Sequence, residues 1–190
     1  LWSVGGNSDE LPESFLKLTN LQTLVLLGSD FNLNTIYQNT TIKNLELQLS
    51  ALDSIDVNIG KMTNLESLHI IGSYYIKRLP SSLANLEHLT TLIIDDGLGY
   101  NHNEMDMDST YAVITSLQHL QNLVLNHYFE KLFPFYLNKH LKTFTYTGII
   151  DKMPSKKDLL QIKQPLTVDF KDKAYRCIEL HKANQYIICK

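Results

Sequence analysis

Carboxylates and one histidine gather between residues 95 and 108, where the chain has the residue types of a metal site. The stretch contains Asp95, Asp96, His102, Glu104, Asp106 and Asp108. Clustered carboxylate oxygens can bind Ca²⁺, but their spacing lacks the D-x-[DN]-x-[DN]-G-x₅-E order of an EF-hand loop. We therefore predict no metal site and favour an acidic, solvated loop, in which Tyr100 and the carboxylates can also contact a partner.

Motifs for catalysis are not found elsewhere in the sequence. The chain has no G-x-S-x-G, no P-loop and no H-E-x-x-H, which are the patterns that position a nucleophile, a phosphate or a zinc ion. Neither Cys177 nor Cys189 belongs to a C-x-x-C pair. The sequence thus predicts a protein that is not an enzyme and holds no cofactor. Asn39-Thr40-Thr41 fits a glycosylation sequon, which matters only in a eukaryotic secretory protein.

Composition narrows the class of partner. The chain has 190 residues, 44% of them hydrophobic and 19% charged, with a formal net charge of -3. These values are typical of a globular protein, and the basic excess of a nucleic-acid binder is lacking. No apolar run approaches the roughly 20 residues that span a bilayer. We therefore predict neither a nucleic-acid partner nor a membrane span, while cytoplasmic and secreted locations both stay open.

One pattern, L-x-x-L-x-L, recurs six times along the chain. Its apolar positions are Leu21, Leu24, Leu26; Ile42, Leu45, Leu47; Leu65, Leu68, Ile70; Leu89, Leu92, Ile94; Leu120, Leu123, Leu125; and Leu141, Phe144, Tyr146. Successive copies begin 21, 23, 24, 31 and 21 residues apart, close to the repeat length of about 20–29 residues in stacked coils. A weak seventh copy uses Leu166 and Val168 as its last two positions.

A Leu-Pro pair stands at the same place in two of the repeats. Leu11-Pro12 and Leu79-Pro80 precede the first leucines of their repeats by ten and nine residues. With the L-x-x-L-x-L repeats and these Leu-Pro pairs the chain resembles the leucine-rich-repeat family. The resemblance implies an α/β fold, a right-handed solenoid with a concave parallel β-sheet and short helical or irregular convex segments. We expect this solenoid, with a truncated first repeat, over residues 1–170.

The longest interval between repeats, 31 residues from Leu89 to Leu120, predicts an insertion at residues 95–108, followed by a helix. Ser109–Gln118 is the best helix candidate because Tyr111, Ile114 and Leu117 share one face. We expect Asp108 and Ser109 as N-caps there, and Ser81 and Ser82 as N-caps of an earlier convex turn.

The last residues, 171–190, differ from the repeats. Two apolar runs ending at His181 and Cys189 flank a short polar turn, a pattern typical of a β-hairpin. We expect this tail to be a C-terminal β cap or the start of a following domain. In a hairpin that turns at Ala183, Cys177 lies opposite Cys189 and can form a disulfide; two free buried thiols are the alternative.

Residues between the inward leucines point to the opposite, concave face, because side chains alternate along a strand. The outward set expected to bind a partner is Val25, Leu27, Glu46, His69, Ile71, Ile93, Asp95, Asp96, Tyr100, Val124 and Asn126. An exposed apolar cluster with a polar rim marks an interaction site. Two plainer interpretations are open: Val and Ile simply suit strands, and His69 is a solvated surface histidine.

The outward residues of the concave sheet lead to a hypothesis about function. The concave sheet is expected to be a protein-recognition module that binds another protein through a few buried anchors. The alternative is that the array is the targeting or substrate-recognition part of a larger secreted effector or ligase-type enzyme. The family includes receptors, adaptors, surface proteins and effectors, so the resemblance does not choose between them.

Overall fold

Parallel strands in chain order form the whole sheet. The computed structural model describes residues 2–5, 11–28, 31–49, 52–73, 76–95, 106–126, 132–147, 153–171 and 174–190. Its strands are β1 (Trp2–Gly5), β2 (Thr23–Gly28), β3 (Asn44–Leu49), β4 (Ser67–Ile71), β5 (Thr91–Asp95), β6 (Asn122–Asn126), β7 (Thr143–Tyr146), β8 (Leu166–Phe170) and β9 (Ile187–Cys189). Each strand pairs in parallel with the next one along the chain, so the chain is an open solenoid.

Inward side chains of consecutive strands stack into two continuous buried rows. From β2 to β8 one row contains Leu24, Leu45, Leu68, Leu92, Leu123, Phe144 and Val168, and the other contains Leu26, Leu47, Ile70, Ile94, Leu125, Tyr146 and Phe170. All of them are at most 3% exposed. The period-two alternation predicted from the repeat is confirmed, and each coil buries its inner face against its neighbours.

Short helices make up the return side of the coils. Within the described ranges, four are 3-10 helices, at Glu13–Lys17, Val57–Lys61, Ser81–Asn85 and Phe135–Leu137. The α-helices are α1 (Asn34–Tyr37), α2 (Met107–Ser116), α3 (Lys156–Leu159) and α4 (Ala174–Ala183). In the later coils, aromatic rings take the place of leucines in the core. Phe135 stacks on Phe144 with ring centroids 5.0 Å apart.

The helix after the insertion begins two residues earlier than the sequence predicts. Its N-cap is Asp106, whose carboxylate accepts hydrogen bonds from the backbone N–H and the hydroxyl of Ser109. The expectation that Asp108 and Ser109 cap it is therefore wrong, because both lie within the first turn. The earlier 3-10 helix has Pro80 at its N-cap position without a side-chain bond, so Ser81 and Ser82 are not caps either.

The C-terminal tail is a helix followed by a parallel strand, and the predicted hairpin is wrong. Cys177 and Leu180 are three residues apart and both buried, a helical spacing that packs α4 against the last strands. β9 then pairs in parallel with β8. Cys177 and Cys189 form a disulfide with Cα atoms 5.6 Å apart, which joins helix to strand. The role of this tail as a cap stays a prediction.

The seventh repeat is shifted by two residues from its predicted register. Val168 pairs with Phe144 and Phe170 with Tyr146, so these two residues, and not Leu166 and Val168, take the last two inward positions. Phe170 fills the end of the row with a large ring that is 2% exposed. The outward residue of the middle row is consequently Asp169 instead of Thr167.

Buried asparagines satisfy backbone groups where three coils turn back towards the sheet. Asn39, Asn138 and Asn184 each lie three residues before a buried apolar residue, at or just before the start of a strand, and are at most 8% exposed. Asn184 Nδ2 donates to the carbonyls of Leu159 and Ile162, and its Oδ1 accepts from the N–H of Tyr186. Such buried amides replace the water that the carbonyls lose.

Replacing Asn184 by Ala is expected to lower the free energy of unfolding by about 2–3 kcal/mol, because buried carbonyls of the preceding coil lose their donor. Urea denaturation followed by circular dichroism measures the change. Gln185→Ala, an exposed neighbour, is the control and should stay within about 0.5 kcal/mol of the unchanged chain. Equal midpoints for the two variants would contradict this role.

Gly60 lies where two neighbouring 3-10 helices touch. A Cβ atom there would lie 2.8 Å from the carbonyl oxygen of Ser82 and 2.9 Å from its Cβ. Gly60→Ala is therefore expected to destabilise the chain by about 1–3 kcal/mol through a forced shift of one coil. Thermal and urea unfolding, with the exposed neighbour Lys61→Ala as control, test this; a Gly60→Ala chain as stable as the control would show that the coils separate freely.

Candidate functional site

Outward side chains of β2–β8 form one surface, here called the open face. Its middle row, fixed by the strand register, contains Val25, Glu46, His69, Ile93, Val124, Thr145 and Asp169. A second row, towards the ends of the strands, contains Leu27, Gln48, Ile71, Asp95 and Asn126. Apart from Leu27, which is 36% exposed, all these residues are half-buried. The strands thus hold the face rigidly, and each position is set by backbone pairing.

Three apolar residues come together in this face and form the apolar patch: Ile71, Ile93 and Val124. Ile93 and Val124 are direct partners on β5 and β6, and Ile71 lies diagonally to Ile93 on β4. Adjacent strands are about 4.8 Å apart, so Ile93 lies next to both Ile71 and Val124 and connects them.

The other two apolar candidates lie apart from that patch. Val25 and Leu27 are on β2, and β3 with Glu46 and Gln48 separates them from β4. The structure therefore divides the predicted apolar set into a central group of three and a pair near the first strands.

A polar group borders the apolar patch on the β3 side. Ser67 Oγ lies 3.1 Å from His69 Nε2, and His69 Nδ1 lies 3.7 Å from Glu46 Oε2. Gln48 Nε2 donates to the other carboxylate oxygen of Glu46. The side chains of Glu46 and His69 are 28% and 31% exposed, so both stay accessible to a partner.

Hydrogen bonds between neighbouring strands fix the other border. Asn126 Nδ2 donates to Asp95 Oδ1 at 2.9 Å. In the row nearer the strand starts, Asn122 Nδ2 donates to Thr91 Oγ1 and Asn122 Oδ1 accepts from the hydroxyl of Thr143. These bonds link β5, β6 and β7 through side chains and restrict the rotamers of those side chains.

The alignment of Ser67, His69 and Glu46 has the order of groups found in serine hydrolases. The 3.7 Å between His69 and Glu46 is longer than a hydrogen bond. Acyl transfer also needs donors for an oxyanion, and the backbone N–H groups of the central strand β4 are engaged in the ladder with β3 and β5. The three groups therefore lack the hydrogen bond between histidine and carboxylate that such an arrangement has.

The acidic stretch is described only at its ends. Asp96 and Tyr100, two of the predicted partner contacts, and also His102 and Glu104, lie outside the described residues. Asp106 caps α2, and its bonds from Ser109 lower the pKa of its carboxyl. Among the described residues no group of three or more His, Cys, Asp or Glu side chains could hold a metal ion.

Solved structures share this architecture. A leucine-rich-repeat protein of Leptospira interrogans superposes with a TM-score of 0.61 at 20% sequence identity, over 87% of this chain and 44% of that one. An internalin, InlF, of Listeria monocytogenes gives a TM-score of 0.57 at 18% identity, over 87% and 46%. This chain has the leucine-rich-repeat fold. It spans less than half the length of either protein.

Sequence comparison adds nothing to this structural likeness. No protein-family model matches the chain, and no curated protein does. None of the helices in the described ranges combines the length and apolar character that crossing a bilayer requires.

Lysine and arginine do not occur in the central strands of the leucine-rich-repeat sheet. The chain contains 17 of these residues, yet none stands within β2–β8. The same strands contain three carboxylates, Glu46, Asp95 and Asp169. Asp169 is bonded to Lys171, with Nζ to Oδ2 at 3.0 Å, and its side chain is 14% exposed.

Several side chains that shape the open face were not among the predicted contacts. Ser67 bonds His69, Gln48 bonds Glu46, and Asn122 bonds Thr91. Each belongs to an outward column of the repeat, and the first two stand two residues from their partners, a spacing that puts both on one face of a strand. That spacing is the signal from which they can be found.

Proposed function

We propose that the chain is a protein-recognition module that binds its partner through the open face, with the apolar patch as the anchor. The observation that carries the proposal is the direct pairing of Ile93 with Val124, with Ile71 diagonal to Ile93, on the outward side of a rigid sheet. A half-buried apolar group with a polar border is typical of the centre of an interface.

Rigidity explains how such a face would bind tightly. The outward side chains stand on strands held by two neighbours, and His69, Glu46, Asp95 and Asn122 are held further by bonds to adjacent side chains. A partner that packs on the apolar patch would lose little of its binding energy to ordering this surface. The fold likeness to other leucine-rich-repeat structures is consistent with this function, since repeat sheets offer extended binding surfaces.

The test is the double variant Ile71→Thr, Ile93→Thr. Threonine keeps the β-branched shape that suits strands and removes the apolar tip, so we expect the affinity for a partner captured with the unchanged chain to fall at least about 30-fold, as for the loss of about 2 kcal/mol of hot-spot energy. Surface plasmon resonance measures the affinity, after circular dichroism shows that the variant is folded.

Val57→Thr provides the matched control, because Val57 is a β-branched residue that is 63% exposed on the return side. This variant should bind as the unchanged chain does. If the double variant binds with unchanged affinity while the control behaves normally, the partner uses another surface and the proposal is wrong.

A further inference from the structure

Charge on the open face is one-sided. Within β2–β8 the carboxylates of Glu46 and Asp95 lie in the rows that contain the apolar patch, and no Lys or Arg stands in these strands. Lys43, just before β3, is engaged with Glu66, with Nζ to Oε1 at 2.7 Å. The neighbours that bond Glu46 and Asp95 in the face include the neutral amides of Gln48 and Asn126.

The two carboxylates flank β4 from opposite sides. Asp95 on β5 is the direct register partner of Ile71, and Glu46 on β3 is the direct partner of His69, two residues before Ile71. With strands about 4.8 Å apart and about 3.3 Å per residue along them, a partner side chain centred on Ile71 has a carboxylate within one strand on either side. An apolar contact and a charge contact are therefore available to a single short segment.

We propose that the open face selects a protein segment in which a Lys or Arg stands close to a large apolar side chain. The apolar side chain packs on Ile71, Ile93 and Val124, and the cation binds Glu46 or Asp95. This inference rests on the proposed function and specifies the chemistry of its partner.

Electrostatics favours this occupant over an acidic or neutral one. A partner that covers the apolar patch removes water from Glu46 and Asp95, and the free energy that this costs is offset by a cation on the partner. An acidic segment brings like charges together, which costs several kcal/mol across an interface. A cationic segment compensates the carboxylate that it binds, Glu46 or Asp95, and is also guided towards the face before contact.

The test uses a random peptide library displayed on phage, selected on the unchanged chain. Peptides retained also by the Ile71→Thr, Ile93→Thr variant are removed, so that those left depend on the apolar patch. We expect the remaining peptides to be enriched in Lys or Arg within two or three residues of a large apolar residue. Patch-dependent peptides that are neutral or acidic would overturn the inference and leave the proposed function standing.

A selection without any patch-dependent peptide would count against the proposed function, and with it against the inference. A chain that forms dimers in analytical ultracentrifugation, with the dimer lost in the Thr double variant, would show that a second copy occupies the face, which also overturns the inference.

Synthetic versions of the selected peptides then test the two carboxylates directly. Glu46→Gln and Asp95→Asn preserve shape and the bonds from Gln48 and Asn126, so each should weaken peptide binding about 3–10-fold, and the double variant should lose most of the difference in affinity between about 0.05 M and 0.5 M NaCl. Glu87→Gln, an exposed carboxylate outside the strands, is the matched control. Affinity and salt dependence equal to this control would overturn the inference.

Discussion

Shared burial between coils is the interaction on which the rest of the molecule depends. A single coil has two inward side chains in its strand and nothing within itself to cover them, so its stability comes from the coils on either side. Each fully buried Leu, Ile or Phe contributes about 1.5–3 kcal/mol relative to exposure, and the two inward rows run from β2 to β8 without a gap. The geometry of the open face follows, because every inward residue fixes its outward neighbours.

Polar groups are satisfied where this burial would otherwise leave them without water. Asn138 Nδ2 donates to the carbonyl of Ile114, 24 residues earlier, and Ser73 Oγ donates to the carbonyl of Leu49. Each bond joins neighbouring coils, the first on the return side and the second at the ends of the strands. Asn39 has the same place in its coil as Asn138, and its Oδ1 accepts hydrogen bonds from the N–H and the hydroxyl of Thr41. The buried asparagine of the Asn39-Thr40-Thr41 sequon thus stabilises a turn.

Much of the fold could be predicted because the sequence has two periods, one between repeats and one within each strand, that both indicate the same solenoid. The interval between repeats predicts stacked coils, and the alternation within L-x-L predicts which side chains point inward, as Leu68 and Ile70 do on either side of His69. The register of β8 was missed because Leu166-x-Val168 and Val168-x-Phe170 both fit the pattern, and only packing against Phe144 and Tyr146 decides between them. The tail was missed because its apolar residues also suit strands, while Cys177 and Leu180 are spaced for a helix.

The candidate site was less predictable than the fold. Columns of outward residues follow from the repeat, but the separation of Val25 and Leu27 from Ile71 depends on which strand lies between them. Contacts such as Ser67 with His69 depend on side-chain rotamers that a pattern does not contain.

Two pairs of adjacent isoleucines allow the most direct test of the open face. Ile71 and Ile93 point outward, whereas their chain neighbours Ile70 and Ile94 point inward and are 2% and 3% exposed. In methyl NMR spectra with a soluble gadolinium chelate, the methyl signals of Ile71 and Ile93 should broaden in the free chain and recover when a captured partner is bound, while those of Ile70 and Ile94 stay sharp in both states. Signals of Ile71 and Ile93 that broaden as strongly in the complex as in the free chain would contradict binding through this face.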